Sequence, residues 1–363
     1  MLGRGVSWAL IALGAVVAAA LVYLLVVYPA GKGPGTGKDV RITIAENEPT
    51  SSVVDKLQAG GLVASTTAFS LYTRLTSPRF APGAHLLTDD ASPQELVHRL
   101  ERQGSASKAR VTIPEGWNRF DIAKRLETLH VAAASGFLDA TTDTALLREI
   151  GLDGDSAEGF LFPATYDLAK DSDPKDVVRR LKAEFERRFA LLEQNHRLGR
   201  ANLESSLGWS RAQIVTLASM VEKEAAVDEE RPIIASVFLN RLRDPSFKRK
   251  VLQCDPTSGY GCLVLRDKIP ACASYAGKIT HGINTDPANT YSTYVHEGLP
   301  PGPIANPGVK SMQAVLLPAT TKFLYFVTRG EGRRHAFSET IEEHNTAVKD
   351  LRERAQQRDH GDR

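Results

Sequence analysis

Residues Gly5 to Gly31 contain no charged side chain. That run limits the chain more than any other feature. As a helix its apolar part, Val6 to Tyr28, spans roughly 33 Å, about the thickness of a bilayer's hydrocarbon core. Trp8 sits near one end and Tyr23 and Tyr28 toward the other, where interfacial aromatics belong. A cleaved signal peptide is the alternative, with Ala18-Ala19-Ala20 supplying small residues for cleavage. The apolar run continues through Leu21 to Val27, which is too long for a signal core, so an uncleaved anchor over 6–28 is expected. Arg4 lies on one side, and Lys32, Lys38 and Arg41 lie on the other. Charge therefore does not set the orientation. The five-residue head makes a cytoplasmic N-terminus natural.

The remainder reads as a globular chain. Hydrophobic residues make up 42% of the 363, enough for a real core. The 45 basic and 43 acidic residues nearly cancel, so nothing points to nucleic acid. Gly31-Lys32-Gly33-Pro34-Gly35-Thr36-Gly37 reads as a flexible linker within 29–39, with folding beginning near Val40. An internal echo follows at an offset of 69 residues: Arg41-Ile42-Thr43-Ile44-Ala45-Glu46 matches Arg110-Val111-Thr112-Ile113-Pro114-Glu115. Each copy looks like a strand, a polar turn and an amphipathic helix. Ser92, Pro93 and Glu95 mark another helix start. Residues 40–105 thus form a small α+β module.

Further on, residues 173–198 show helical apolar spacing through Val177, Val178, Leu181, Phe185, Phe189 and Leu192, with Gly199 as the expected C-cap. Ser210-Arg211-Ala212-Gln213 is a capping box for a helix to about Ala226. Pro232 opens the next helix, through Leu242. From Leu252 to Asn306 the chain is rich in Pro, Gly, Thr, Asn and Tyr with few helix signals, the mark of a functional surface. Order returns with strands at 323–327 and 335–337, a turn at 330–332, a helix from Ser338 or Thr340, and a polar tail over 351–363. The three cysteines, Cys254, Cys262 and Cys272, do not match common zinc spacings. In an oxidising compartment two could bridge, leaving one over.

Chemistry is sparsely signposted. No G-x-S-x-G elbow, H-E-x-x-H helix, P-loop or G-x-G-x-x-G is present. His335 and His344 read as structural histidines. The segment Leu217 to Ala225 brings Glu222 and Glu224 into the last turns of an apolar helix. At about 100° per residue the two acids point roughly 200° apart, so only one faces any given cleft. Glu222 follows a nearly apolar turn, surroundings expected to keep a carboxyl protonated as a general acid requires. Glu224 reads as a surface acid.

At these residues the sequence resembles the MltG/YceG-like endolytic murein transglycosylases. The likeness runs nearly the length of the chain. Its strongest parts are 217–224 (LASMVEKE), 235–242 (ASVFLNRL), Leu252-Gln253-x-Asp255-Pro256-Thr257 with Tyr260-Gly261, and 298–304 (GLPPGPI). Asn306-Pro307-Gly308, Tyr325-Phe326-Val327, Ile113-Pro114-Glu115-Gly116 and Glu158-Gly159-Phe160-Leu161-Phe162-Pro163 also match. The resemblance implies an inner-membrane, single-pass α+β protein. Its parts are a LysM-like module at 40–105 and a catalytic domain at 106–350 outside the cytoplasm.

It also implies cleavage of MurNAc–GlcNAc bonds without cofactor or metal. Glu222 serves as acid and then base, leaving 1,6-anhydro ends. Gln253, Asp255, Thr257, Tyr291, Thr293 and Asn306 are expected to hydrogen-bond the sugar, and Tyr260, Tyr291 and Tyr294 to offer stacking faces. The expected partners are peptidoglycan glycan strands, the membrane and peptidoglycan synthases. The alternatives are a water-using muramidase and a non-catalytic wall-binding scaffold. Two departures stand out. Tyr291-Ser292-Thr293-Tyr294 carries Ser292 where the family has Asn, and 262–290 is longer than expected, with two of the cysteines.

Overall fold

A computed structural model describes residues 2–101, 108–329 and 334–361, with side chains from residue 12 through 354 within those ranges. The expected turn at 330–332 and the end of the module past Glu101 lie outside the described residues. The chain divides into two compact units. The first holds 1–110, 129–131 and 167–172; the second holds 111–128, 132–166 and 173–363.

The first unit starts with a continuous helix: α1 (Leu2–Val22), a π-helical turn (Tyr23–Val27) and α2 (Tyr28–Ala30). Its stretch Ala12–Ala30 is long and apolar enough to cross a membrane, with mean hydropathy 2.3 and 6% burial. The chain from Gly31 to Lys38 is not the free tether its glycines suggest. Gly33 and Gly35 donate to the backbone of Asp90 and Asp89. The Asp89 carboxylate accepts from the amides of Gly37 and Lys38 at 2.7 and 2.8 Å. A Cβ on Gly33 would lie 2.6 Å from backbone oxygens, so glycine here serves close approach.

The strap leads into β1 (Asp39–Ile44), α3 (Thr50–Ala59), α4 (Thr66–Thr76), β2 (Gly83–Thr88) and α5 (Pro93–Glu101). β1 and β2 pair antiparallel, Asp39 opposite Thr88 and Ile44 opposite Gly83. Alternation sends Ile42 and Ile44 inward against Val53, Leu57, Phe69, Leu87, Leu96 and Leu100. The α5 start is as expected: Glu95 N–H donates to Ser92 Oγ at 3.2 Å. The helix α4, rich in Thr and aromatics, gives weak local signals. Ser65 caps it, and Phe69 and Tyr72 anchor it in the core.

Along the chain there follow β3 (Lys108–Thr112), α6 (Arg119–Thr128), α7 (Ala134–Ala140), α8 (Thr144–Glu149) and β4 (Thr165–Ala169), with β3 and β4 forming a two-stranded sheet. The helices α3 and α6 are offset by 69 residues at both ends, as the sequence echo implies. The long α9 (Pro174–Asn195) buries Val177, Val178, Leu181, Phe185, Phe189 and Leu192, and Phe185 and Phe189 stack at 5.3 Å. Gly199 does not cap it. It lies inside α10 (Arg197–Leu207), where a Cβ would meet Leu316 O at 1.8 Å. Gly208, in the left-handed region, is the C-cap instead.

Next come α11 (Arg211–Glu224), a 3-10 turn (Asp228–Glu230) and α12 (Arg231–Arg243). The capping box of α11 forms as read: Ser210 Oγ accepts from the helix amides and Gln213 returns to Ser210 N. Residues Ile214 through Val221 are all buried, so α11 runs through the core between α12, α13 and α15.

The segment expected to be irregular holds α13 (Asp255–Val264), 3-10 turns at Arg266–Lys268 and Pro270–Cys272, and α14 (His281–Thr285), followed by α15 (Val309–Leu316). Cys262 and Cys272 are disulfide-bonded and buried with Ile269 and Ile283. Cys254 is buried and free. The chain closes with the antiparallel pair β5 (Tyr325–Thr328) and β6 (His335–Ser338), Phe326 opposite Phe337. Then α16 (Ile341–Gly361) carries helix through most of the polar tail. The fold is mixed α/β: among the described residues the strands form three separate two-stranded sheets in a mostly helical chain.

Candidate functional site

Glu222 sits in the last turn of α11, where the buried helix emerges. Its side chain is 5% exposed. The apolar wall expected around it is absent. Arg231, at the start of α12, donates from Nη1 to Oε1 at 3.0 Å. Gly308 N–H and Ser311 Oγ, at the start of α15, donate to Oε2 at 3.0 and 2.8 Å. A carboxylate with a guanidinium, a helix N-terminal amide and a hydroxyl upon it is built as an acceptor. Arg231 is itself held by Asp228 at 3.0 Å and by Ser311.

A second acid shares this cleft. Glu115 follows β3 in the turn Pro114-Glu115-Gly116. Gly116 has φ +76°, and its N–H donates to Asn306 O. A Cβ on Gly116 would lie 3.4 Å from Glu222 Cγ, and one on Gly308 would overlap Glu115 Oε1 at 1.9 Å. The residue as a whole is exposed, yet partial desolvation of its carboxyl, then the Glu222 charge, raise its pKa.

A third acid, Glu158, is 1% exposed and is reached through Asn306. It accepts from Arg119 N at 2.9 Å, Tyr260 OH at 2.9 Å and Asn306 Nδ2 at 2.8 Å. Burial outweighs these donors and pushes its pKa up to about 7. Asn306 is fully buried and fully used: Oδ1 accepts from Leu161 N, and Nδ2 also donates to Trp117 O. Its backbone bonds Gly116 and Trp117. It therefore joins the Glu115 turn to the Asn306-Pro307-Gly308 segment.

The residues expected to meet sugar divide into two groups. Thr257 and Thr293 are buried; both bond the backbone of Cys254 and lie 3.1 Å apart, tying two loops together. With Asn306 and the buried Tyr260 they build the scaffold. Ser292 is buried too, donating to Asn284 O, so this departure from the family lies in the interior. Gln253 and Asp255 are exposed, and Gln253 adopts φ +52°. Tyr294 OH donates to Asp255 Oδ1 at 2.7 Å. Tyr291 is half-buried, packs edge-on to Tyr260 at 5.2 Å, and lines a cavity of about 690 Å³ beside Phe160 and Leu299. That cavity does not include Glu222.

One further expectation changes. Glu224 is not a surface acid: it meets the thiol of Cys254, and burial raises its pKa. His335 pairs with Glu230 at 2.7 Å, and His344 stacks on Tyr325. Arg231, Ser311, Gly308, Glu115 and Glu158 were not singled out from sequence as site residues. The signal for Glu115, Glu158 and Gly308 lies in the short motifs PEG, EGFLFP and NPG, which mark the family without revealing that they converge; Arg231 and Ser311 lie in none of the three.

These groups define a class: a mixed α/β protein with a cluster of carboxylates around one glutamate anchored by Arg231, Gly308 and Ser311. The chain belongs to the YceG-like family, whose profile matches residues 42–350. It is similar to the endolytic murein transglycosylase of Bacillus subtilis strain 168, at 26% identity over 85% of this chain and 83% of that one. Its similarity to the protein of that name from Streptococcus pneumoniae R6 is 25%, over 86% of this chain and 58% of that one. A crystal structure of a yceG-like protein from Listeria monocytogenes superimposes with a TM-score of 0.54 at 25% identity, over 86% of this chain and 99% of the other.

Proposed function

We propose that the protein is a membrane-anchored lytic transglycosylase that cuts peptidoglycan glycan strands internally. Glu222 is the essential carboxylate. The observation that carries this reading is the anchoring of Glu222 by Arg231, Gly308 and Ser311, on the motif shared with the family. Cleavage of the MurNAc–GlcNAc bond needs one proton delivered to the glycosidic oxygen and one removed from the MurNAc C6 hydroxyl as it attacks C1. One carboxylate can do both in turn. The products are a 1,6-anhydro-MurNAc end and a free GlcNAc hydroxyl, and no water is consumed.

Gln253, Asp255, Tyr291 and Tyr294 are the expected residues open to sugar. The apolar Ala12–Ala30 helix anchors the chain in the inner membrane, with the catalytic unit outside the cytoplasm. The Cys262–Cys272 disulfide supports an oxidising compartment. The strand–helix–helix–strand unit of β1 to β2 is a LysM-like wall-binding module. Acting on strands near the membrane suits an enzyme that ends glycan polymerisation beside a peptidoglycan synthase.

Glu222→Gln is expected to lower release of anhydro-muropeptides from purified strands by at least about 100-fold. Release near the wild-type rate would overturn the assignment. A second carboxylate in the cleft keeps a water-using muramidase as the alternative. Product mass separates the two, because hydrolysis adds one water.

A further inference from the structure

Two acids meet at Gly308. Its N–H holds Glu222 Oε2 at 3.0 Å, and its Cα lies under Glu115, so close that a Cβ would overlap Oε1 at 1.9 Å. A Cβ on Gly116, in the same turn as Glu115, would come into van der Waals contact with Glu222 Cγ at 3.4 Å. The two carboxyls are unequal. Both oxygens of Glu222 are engaged by protein donors and its side chain is 5% exposed. Glu115 is exposed and makes no hydrogen bond among the described residues. One acid is fixed and saturated as an acceptor. The other is free to reach an incoming oxygen.

We propose that Glu115 is a second catalytic carboxylate, the group that protonates the glycosidic oxygen while Glu222 accepts the proton of the attacking C6 hydroxyl. This rests on the transglycosylase reading above and divides its two proton movements between two acids. The proton leaves Glu115 for the glycosidic oxygen as the C1–O bond breaks, its electron pair going to that oxygen. The C6 oxygen forms the new bond to C1, and its proton goes to Glu222. Glu115 ends ionised and Glu222 protonated, and exchange with solvent restores both.

The charged groups facing Glu115 are Glu222 on α11, Asp228 on the 3-10 turn, Arg231 on α12 and Lys310 on α15. Desolvation of its carboxyl and the Glu222 and Asp228 charges favour the protonated form; Arg231 and Lys310 oppose it. Two flanking carboxylates of unequal protonation form a general pattern in glycosidic bond cleavage.

The test uses the full-length protein in detergent with two substrates. One is purified glycan strands. The other is an aryl β-glycoside of a GlcNAc–MurNAc oligosaccharide, whose phenolate leaves without protonation. Glu115→Gln is expected to slow strand cleavage about 100-fold or more yet to retain near wild-type rate on the aryl glycoside. Gly308→Ala keeps an ordinary backbone (φ −75°) and the amide bond to Glu222 while displacing Glu115. It should show the same split. Glu222→Gln should fail on both. Equal loss on both substrates in Glu115→Gln, or no loss on strands, overturns the proposal and leaves the transglycosylase reading intact. Full activity of Glu222→Gln on strands overturns that reading itself.

Discussion

At Glu158 a carboxyl group lies buried beneath donors from Arg119, Tyr260 and Asn306, and its pKa stands at about 7. In the unfolded chain it returns to the ordinary value of 4.5. A folded pKa above the unfolded one means the folded state binds the proton more tightly. The stability from that proton is full below about pH 4.5 and is lost as pH rises to about 7. The change amounts to roughly 3 kcal/mol at most. Melting temperatures from pH 4 to 8 should therefore fall less steeply in Glu158→Gln than in the wild type. An unchanged slope assigns the pH dependence elsewhere. Glu224 offers a contrast on α11. It faces Cys254 rather than the groups around Glu222, so Glu224→Gln should slow strand cleavage far less than Glu222→Gln.

At the scale of elements, α11 was legible and its surroundings were not. Its start is written locally in Ser210 and Gln213, whose reciprocal bonds join residues three apart. The partners of its last turn come from α12 and α15 and from the turn after β3, separated from it by 9 to 107 residues. No local pattern encodes such pairs. The same limit explains Gly199, read as a helix end because glycine favours that position. The backbone of Leu316 demands a glycine there for space instead.

The Cys262–Cys272 staple is a second element-scale device. It closes a short loop around Ile269 and Ile283. By loop-closure entropy it contributes about 3 kcal/mol locally. Cys262→Ser with Cys272→Ser should raise hydrogen exchange across 262–285 while leaving exchange in the α11 core unchanged. Equal exchange in both proteins shows that the small core holds without its bridge.

For the whole molecule, the two compact units are expected to carry separable tasks. The fragment 108–350 is expected to keep cutting purified strands, at lower thermal stability because residues 129–131 and 167–172 group with the first unit. Loss of cleavage in that fragment while it remains folded would assign the module to catalysis. A chain beginning at residue 31 should leave the membrane fraction on cell fractionation, because it lacks the apolar helix. That helix, the mixed α/β class and the family could be read from the chain alone. These depend on length, periodicity and short motifs, all local quantities. What surrounds Glu222 comes from the fold: an anchored acceptor in place of an apolar wall, with Glu115 across Gly308 and Glu158 tied to the Glu115 turn through Asn306. Burial and charge pairing depend on residues distant in the chain, and the fold alone brings them within hydrogen-bonding reach.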